Sequence, residues 1–214
     1  MPKRIVVLIS GSGSNLQAII DATQSGRIDG EVAAVLSNKA GVFGLERAAN
    51  ANIPTEVLDH KAFDSRESFD AAMMELIDSY KADLVVLAGF MRILTPEFVR
   101  HYEGRMLNIH PSLLPKYKGL NTHQRALDAG DQEHGCTVHF VTEELDGGPS
   151  LVQGRVSIEL DDTSDSLQQK VHVREHQIYP LAVEWFCAER VSWTPEGVIF
   201  DGQPAPAEGI QFQP

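Results

Sequence analysis

The chain has 214 residues, of which 43% are hydrophobic and 22% charged, a composition typical of a soluble globular protein. Its net charge of −12 disfavours general nucleic-acid binding, because phosphates need lysine and arginine to neutralise them. The longest apolar run, from Leu84 to Met91, is far shorter than the roughly 20 residues of a membrane span. Two isolated cysteines, Cys136 and Cys187, predict neither a disulfide framework nor a zinc site. These features favour a cytoplasmic protein without membrane or nucleic-acid partners.

Strands and helices alternate through the first half of the sequence. Compact apolar segments predict strands, and apolar residues at helical spacing predict helices. The expected strands are 4–10, 32–37, 55–58, 84–88 and 106–110, and the expected helices are 15–25, 43–50, 66–80 and 96–102. This βαβα order predicts an α/β fold with a doubly wound, mostly parallel sheet and a Rossmann-like N-terminal half.

The pattern changes after residue 120, where strands follow one another and predict an antiparallel addition to the sheet. The elements expected there are helices at 123–129 and 165–189 and strands at 136–142 and 151–158. Residues 191–214 are rich in proline and glycine, so this tail is expected to lie at the surface or to fray. We therefore expect a single domain over residues 1–190, with halves at about 1–100 and 101–190.

A glycine-rich segment, Gly11-Ser12-Gly13-Ser14-Asn15, joins the first predicted strand to the first predicted helix. Its glycines allow a tight turn, and free N–H groups at a helix N-terminus attract an anion. It lacks the lysine of a Walker A loop, and Leu16 stands where a dinucleotide fingerprint has its third glycine. A terminal phosphate monoester therefore fits the loop better than a pyrophosphate. The alternative is a plain turn in which Ser14 or Asn15 caps the helix.

Asn108 and His110 stand two residues apart at the end of the strand predicted over 106–110, which Pro111 terminates. Side chains at i and i+2 of a strand share a face, and open α/β sheets bind ligands at the carboxyl ends of their strands. An amide can donate to a developing oxyanion and an imidazole can move protons, so the pair indicates transfer at a carbonyl-like carbon. The alternative is that Asn108 caps a turn and His110 simply ends the strand.

The acidic segment Glu143-Glu144-Leu145-Asp146-Gly147-Gly148-Pro149 is a third candidate. In a functional interpretation Asp146 returns beside His110, where a carboxylate would favour the imidazolium form, orient the ring or hold a water. In a structural interpretation the segment is a solvated turn between two strands, because Asp-Gly favours turns. Sequence spacing leaves both open, since 36 positions separate the two residues.

A metal site is not expected among the remaining histidines. His172 and His176 lie four residues apart on the last predicted helix and could face one another. A zinc-protease helix has the order His-Glu-x-x-His, however, and Val173 follows His172 here.

Four segments together resemble the glycinamide ribonucleotide formyltransferase family, with likeness extending from about residue 4 to about 190. They are Val6–Gln17, Leu87–Leu94, Asn108–Pro115 and Asp146–Pro149. The resemblance implies transfer of a formyl group from 10-formyltetrahydrofolate, as co-substrate, to the amine of glycinamide ribonucleotide in purine synthesis. It implies no metal.

The resemblance also implies roles for individual residues. Asn108 and His110 would stabilise a tetrahedral intermediate, with Asp146 tuning His110 and relaying protons. Residues implied to bind the substrate phosphate and ribonucleotide are Gly13, Ser14, Asn15, His172, Val173, Arg174 and Glu175. Residues implied to bind the folate are Arg66, Met91, Arg92, Ile93, Leu94, Asn108, Thr142, Glu143, Glu144, Leu145 and Asp146. The resemblance thereby implies a phosphate-binding half at about 1–100, which also contains the folate residues Arg66 and Met91–Leu94, and a folate-binding and catalytic half at about 101–190.

The sequence departs from the family pattern at Asn121, where a histidine is common; an amide there can hydrogen-bond but cannot take an auxiliary imidazole role. Two alternative functions stay open: a 10-formyltetrahydrofolate hydrolase and a non-catalytic phosphosugar-binding module. A methionyl-tRNA formyltransferase would need a basic surface and a further RNA-binding domain, which an acidic chain of 214 residues does not suit. The expected partners are the two small-molecule substrates, and a homodimer is left open.

Overall fold

The computed structural model describes all 214 residues. They form two compact units, one over Met1–Leu107 and one over Asn108–Pro214. None of the helices combines the length and the apolarity that crossing a bilayer requires.

The first unit alternates strands and helices as the sequence predicts. In chain order its elements are β1 (Lys3–Ile9), α1 (Ser14–Gln24), β2 (Gly30–Ser37), α2 (Phe43–Asn50), β3 (Thr55–Val57), a short 3-10 turn (His60–Ala62), α3 (Arg66–Ser79), β4 (Leu84–Leu87) and α4 (Pro96–His101). The strand order is β4-β1-β2-β3, and every pairing among these strands is parallel. A further strand, β5 (Met106–His110), carries the chain from the first unit into the second.

The core of the first unit is centred on β1 and β4. Residues Ile5 to Ile9 are fully buried, as are Leu84 to Val86, so successive side chains on both faces of these strands are shielded from water. A parallel strand whose two faces are both covered has a continuous run of apolar residues, which explains why apolar and polar residues do not alternate in these segments. Helix α3 completes the packing with Phe69, Met73 and Ile77, spaced four residues apart on one buried face.

The second unit contains the antiparallel part of the fold. Its elements after β5 are α5 (Thr122–Asp128), β6 (Glu133–Phe140), β7 (Ser150–Ser157), α6 (Ser164–Cys187), β8 (Val191–Thr194), β9 (Gly197–Phe200), β10 (Gln203–Pro204) and β11 (Ile210–Gln211). The strand order is β11-β7-β6-β5, with β6 and β7 antiparallel and β11 parallel to β7. Strands β8, β9 and β10 form a separate antiparallel sheet.

The predicted fold class is confirmed, because a mostly parallel sheet of α/β type is followed by an antiparallel addition. Most of residues 191–214 lie at the surface, as expected, and contacts with the rest of the second unit hold them in place. Val198 is buried, the rings of Trp185 and Phe200 pack with centroids 4.7 Å apart, and Arg190 donates two hydrogen bonds to Asp201. Pro195 and Gly202 therefore lie in turns between short strands, and these apolar and polar contacts hold the strands against the rest of the second unit.

Candidate active site

His110 is the last residue of β5, and its imidazole has a different neighbour at each nitrogen. The side chain is buried, with 8% of its surface exposed. Nε2 lies 2.8 Å from the carbonyl oxygen of Tyr117, and a carbonyl only accepts, so Nε2 carries a hydrogen. Nδ1 lies 3.5 Å from Oδ2 of Asp146, too far for a strong hydrogen bond. Nδ1 is therefore the nitrogen that is open to a third group.

Asp146 reaches His110 from a turn that places its carboxylate inward. Its backbone is left-handed, with φ 52°, a conformation that aspartate tolerates better than most residues. Oδ2 accepts a hydrogen bond of 3.0 Å from the backbone N–H of Gly119, and only 7% of the side chain is exposed. The expected juxtaposition of Asp146 with His110 is confirmed. Glu143, Glu144 and Leu145 are exposed.

Asn108 supplies the third polar group of this region. It lies on β5 two residues before His110, so the two side chains leave the strand on the same face. Asn108 is half-buried, and its side-chain amide makes no hydrogen bond to another residue of the chain. An amide that is shielded but uncommitted can donate to an oxyanion formed on a bound substrate.

Neutral histidines surround His110. His123 Nδ1 and His134 Nε2 lie 3.0 Å apart, and burial lowers the pKa of both rings, that of His134 to about 4. His139 is fully enclosed, and burial lowers its pKa as well, against a weaker opposing effect of the Asp146 charge. These rings stay uncharged at neutral pH, so they shield the site without adding positive charge to it.

The glycine-rich loop of the first unit starts α1 without a side-chain cap. Gly13, at φ 73°, is the N-cap residue, so the alternative in which Ser14 or Asn15 caps the helix is wrong. A Cβ on Gly13 would lie 2.8 Å from the Cα of Gly44, which is closer than real Cβ contacts come. The position thus needs glycine for its backbone conformation and for its packing. The N–H groups of the first helical turn point away from the helix, as phosphate binding requires.

Helix α2 is hydrogen-bonded to the glycine-rich loop that precedes α1. The N–H of Gly44 donates to the carbonyl of Gly11 at 3.1 Å, and Nε of Arg47 donates to the carbonyl of Ser12 at 2.7 Å. Both contacts use loop carbonyls, which leaves loop N–H groups for an anion. Neither Gly44 nor Arg47 was expected in this role, because nothing in the spacing shows that α2 packs against the loop.

The candidate folate residues of the first unit form a short exposed loop. Met91 and Ile93 are 70% and 62% exposed, which is unusual for two large apolar side chains so close in sequence. The guanidinium of Arg92 lies 4.7 Å above the ring of Phe69, and Leu94 is half-buried. Arg66 is exposed at the first turn of α3. In the second unit, Thr142 is half-buried beside the exposed residues that follow it.

The four candidate residues on α6 do not share one face. His172 and Glu175 lie together, with Nε2 and Oε2 3.6 Å apart, and Glu175 is buried. Arg174 turns instead to β7, where its Nε donates to the carbonyl of Arg155 at 2.9 Å. Val173 is exposed, and it lines a cavity of about 330 Å³ together with Arg174. Consecutive helical residues point about 100° apart, so this separation follows from the helix itself.

A larger cavity of about 680 Å³ lies elsewhere in the second unit. It is bordered by Leu114, Lys116, Asp131, Arg155 and Glu208, among others, and by none of Asn108, His110 and Asp146. No three histidine, cysteine or acidic side chains are grouped as a metal site.

The chain was compared with known families and proteins. Residues 3–183 match the model of the formyl transferase family. The chain is 57% identical to phosphoribosylglycinamide formyltransferase of Escherichia coli over 205 residues, which cover 96% of this chain and 97% of that protein. It is 49% identical to the protein of the same name from Haemophilus influenzae, over 97% of this chain and 98% of the relative. The solved structure of phosphoribosylglycinamide formyltransferase from Coxiella burnetii aligns with TM-score 0.96 and 52% identity, covering all of both chains.

Proposed function

The chain belongs to the formyl transferase family, and from this membership we propose that it transfers the formyl group of 10-formyltetrahydrofolate to the amine of glycinamide ribonucleotide, a step of purine biosynthesis. The observation that carries the proposal is the buried imidazole–carboxylate contact of 3.5 Å between His110 and Asp146, next to an uncommitted amide on the same strand. The reaction needs those three chemical groups, and full-length similarity to named transferases supports the choice of substrates.

The formyl carbon is attacked by the substrate amine, and its carbonyl oxygen becomes an oxyanion. Asn108 donates an N–H to that oxygen. His110 donates from Nδ1, since Nε2 is held by the Tyr117 carbonyl. In the protonated ring, Nε2–H therefore faces the Tyr117 carbonyl and Nδ1–H faces the oxyanion. The Asp146 carboxylate, 3.5 Å from Nδ1, balances the positive charge of the ring. A preorganised donor of this kind contributes about 3–4 kcal/mol to stabilising an oxyanion.

Proton transfer balances the reaction without a net change in the enzyme. The attacking amine acquires a positive charge and loses one proton, and the departing N10 of the folate gains one. Asp146 accepts the first proton through water and returns it to the leaving nitrogen. Its buried side chain, fixed by the Gly119 N–H, is suited to this because it has one defined position.

Binding of the two substrates is assigned to separate sets of residues. Gly13, Ser14 and Asn15 bind the phosphate of glycinamide ribonucleotide through N–H groups at the start of α1. His172 and Glu175 bind its ribose or amine side; Val173 and Arg174 are less suited to this, since both point elsewhere on α6. The residues proposed for the folate are Arg66, Met91, Arg92, Ile93, Leu94, Asn108, Thr142, Glu143, Glu144, Leu145 and Asp146. The exposed apolar chains of Met91 and Ile93 suit the pteridine ring.

The change in absorbance as 10-formyltetrahydrofolate loses its formyl group tests the proposal. The enzyme is mixed with 10-formyltetrahydrofolate in the presence and in the absence of glycinamide ribonucleotide. Turnover only with the amine substrate supports the transferase. Equal turnover without it would identify a hydrolase, and ligand binding without turnover would identify a phosphosugar-binding module.

We also propose that the protein works in the cytoplasm. Its two cysteines are both free and buried, which suits a reducing compartment. Sedimentation velocity over a range of protein concentrations tests whether the chain is a monomer or a homodimer.

A further inference from the structure

A chain of hydrogen bonds joins the C-terminal strand β11 to the loop that follows His110. We infer that Gln211 of β11 is a positioning residue for His110, acting through Gln153 and Thr137. Its kinetic consequence rests on the proposed function, whereas its structural consequence can be measured independently. Gln211 lies outside the residues 3–183 that match the family model.

The connection has no gap. Nε2 of Gln211 donates to Oε1 of Gln153 at 3.0 Å. Nε2 of Gln153 donates to the carbonyl of Leu114 at 2.9 Å and to Oγ1 of Thr137 at 3.1 Å. Oγ1 of Thr137 donates to the carbonyl of Ser112 at 2.7 Å and accepts from the N–H of Leu114 at 3.1 Å. The backbone of Ser112 and of Leu114, in the loop after His110, is thus hydrogen-bonded to Thr137 of β6 and Gln153 of β7.

The direction of each hydrogen bond is fixed by groups that can only donate or only accept. Nε of Arg155 only donates, so the group of Gln211 that it contacts at 2.8 Å is Oε1, and the amide nitrogen must face Gln153. The Leu114 carbonyl only accepts, so the Gln153 nitrogen faces Leu114 and its oxygen faces Gln211. Gln153 and Thr137 are buried, and an unmet polar group there would be costly. The relay is therefore specific to an amide at position 211.

The loop held by this relay returns to the catalytic imidazole. The N–H of Ser112 donates to the carbonyl of His110 at 2.9 Å, and the hydroxyl of Ser112 donates to the carbonyl of Lys116. The next carbonyl, that of Tyr117, accepts from Nε2 of His110 at 2.8 Å. If the Leu114 carbonyl loses its buried partner, the turn from Ser112 to Tyr117 loosens, and Nε2–H of His110 loses a fixed acceptor. The ring then leaves the orientation in which Nδ1 faces the reacting oxygen.

Gln211→Glu changes the donor of the relay while keeping the backbone pairing of β11 with β7 and the acceptor for Arg155. The carboxylate has no N–H for Gln153, and it also loses the hydrogen bond of 3.2 Å to the Gly209 carbonyl. Because two acceptor oxygens would then face each other, the Gln153 amide turns its nitrogen toward the carboxylate and leaves the Leu114 carbonyl without that donor. We expect kcat to fall about threefold to tenfold, the range that the loss of one hydrogen bond produces, with KM for both substrates unchanged. Hydrogen exchange at the Leu114 amide should accelerate by a similar factor, because that amide donates within the relay.

Arg190→Ala is the matched control in the same tail. It removes the two-hydrogen-bond ion pair with Asp201 and touches none of the relay residues. We expect this variant to keep kcat and the Leu114 exchange rate. The nitrogen NMR signals of the His110 ring provide a direct signature. In the wild type and in Arg190→Ala the ring hydrogen of the neutral form should stay on Nε2. In Gln211→Glu it should exchange between Nε2 and Nδ1.

Each outcome decides the inference. Lower kcat with faster Leu114 exchange in Gln211→Glu alone supports it. Wild-type kcat in Gln211→Glu overturns it, as does a loss of kcat without faster Leu114 exchange, or an equal loss in Arg190→Ala. If the wild-type protein has no transferase activity, the proposed function fails, and the exchange and NMR measurements still decide whether the relay holds His110.

Discussion

The two proposed substrate regions are built from different parts of the polypeptide. The loop around Gly13 in the first unit presents backbone N–H groups, and its side chains contribute little to its shape. The site around His110 in the second unit presents side chains, two of which are fixed by backbone groups: His110 by the Tyr117 carbonyl and Asp146 by the Gly119 N–H. Binding through backbone N–H groups depends on the backbone conformation that the residues of the loop can adopt. Catalysis through side chains depends on the functional groups that those side chains carry. Substitutions should therefore have different kinetic effects in the two regions.

The largest effect is expected from removing the chemistry of the second region. His110→Ala and Asp146→Asn should each lower kcat by about 10²–10⁴-fold, the usual contribution of a positioned acid–base group, with little change in KM. The matched control is His101→Ala, which breaks the exposed histidine–aspartate pair of His101 and Asp78, 2.8 Å apart. Steady-state kinetics of the three variants provides the test. A comparable loss in the His101 variant, or normal kcat in the His110 variant, would refute the assignment.

A smaller effect is expected from changing the shape of the first region. Gly13→Ala places a Cβ 2.8 Å from Gly44 and forces a left-handed conformation, which costs roughly 1–2 kcal/mol. We expect KM for glycinamide ribonucleotide to rise about tenfold or more, equivalent to roughly 1.4 kcal/mol of phosphate binding, while kcat changes little. Gly11→Ala is the control, because a Cβ there meets nothing within 4 Å. Equal KM values for the two variants would show that the loop does not bind the phosphate.

Acid should distinguish the regions as well, since neutral histidines surround only the second. The pKa of His134 falls from 6.5 to about 4 on folding, mainly through burial. Between those values the unfolded chain binds more protons than the folded one, so stability is complete above pH 6.5 and declines as pH falls toward 4. We expect a loss of about 3 kcal/mol over this window from His134. Urea unfolding at several pH values measures it, and His134→Gln should flatten the dependence; an unchanged slope would contradict the prediction.

The smallest effect concerns how helices begin. Helix α1 starts at Gly13 with no side-chain cap, whereas α6 starts with a capping box in which Thr163 accepts from Ser166 and Ser166 reciprocates. Thr163→Ala should lower the unfolding free energy by about 1 kcal/mol and leave kcat and both KM values unchanged. Thr163→Ser, which retains the hydroxyl, should restore most of that stability in the same denaturation experiment. A change in KM in the alanine variant would show that the start of α6 contributes to binding.

Much of the fold could be predicted because its signals are local. Helix Phe43–Asn50 and strand Met106–His110 have the predicted bounds, since helical spacing and a terminating proline both act within a few residues. The short strands of the tail were not predicted, for the opposite reason. Its order depends on contacts with Trp185 on α6 and with β7, and proline and glycine content does not show whether such contacts exist.

The candidate site was predictable in its side chains and not in its backbone. Asn108 and His110 stand out because their residue types carry chemistry. The acidic segment before Gly147 offered Asp146 as a candidate, and the family resemblance favoured that interpretation over a plain turn. The Tyr117 carbonyl and the Gly119 N–H could not be found, because every residue except proline has both groups and only the fold selects which are used. The grouping of His172 with Arg174 on α6 could have been questioned from helical geometry alone, since residues two apart on a helix point in nearly opposite directions.

Strand β11 has a further consequence for the behaviour of the protein in concentrated solution. It pairs with Val152 and Gln153 of β7, and it is only two residues long and is followed by Pro214. An exposed strand edge invites pairing with other chains, and short strands and prolines discourage such growth. Residues 210–214 therefore cover this edge of β7, and a variant from which they are removed would offer β7 as a template for self-association.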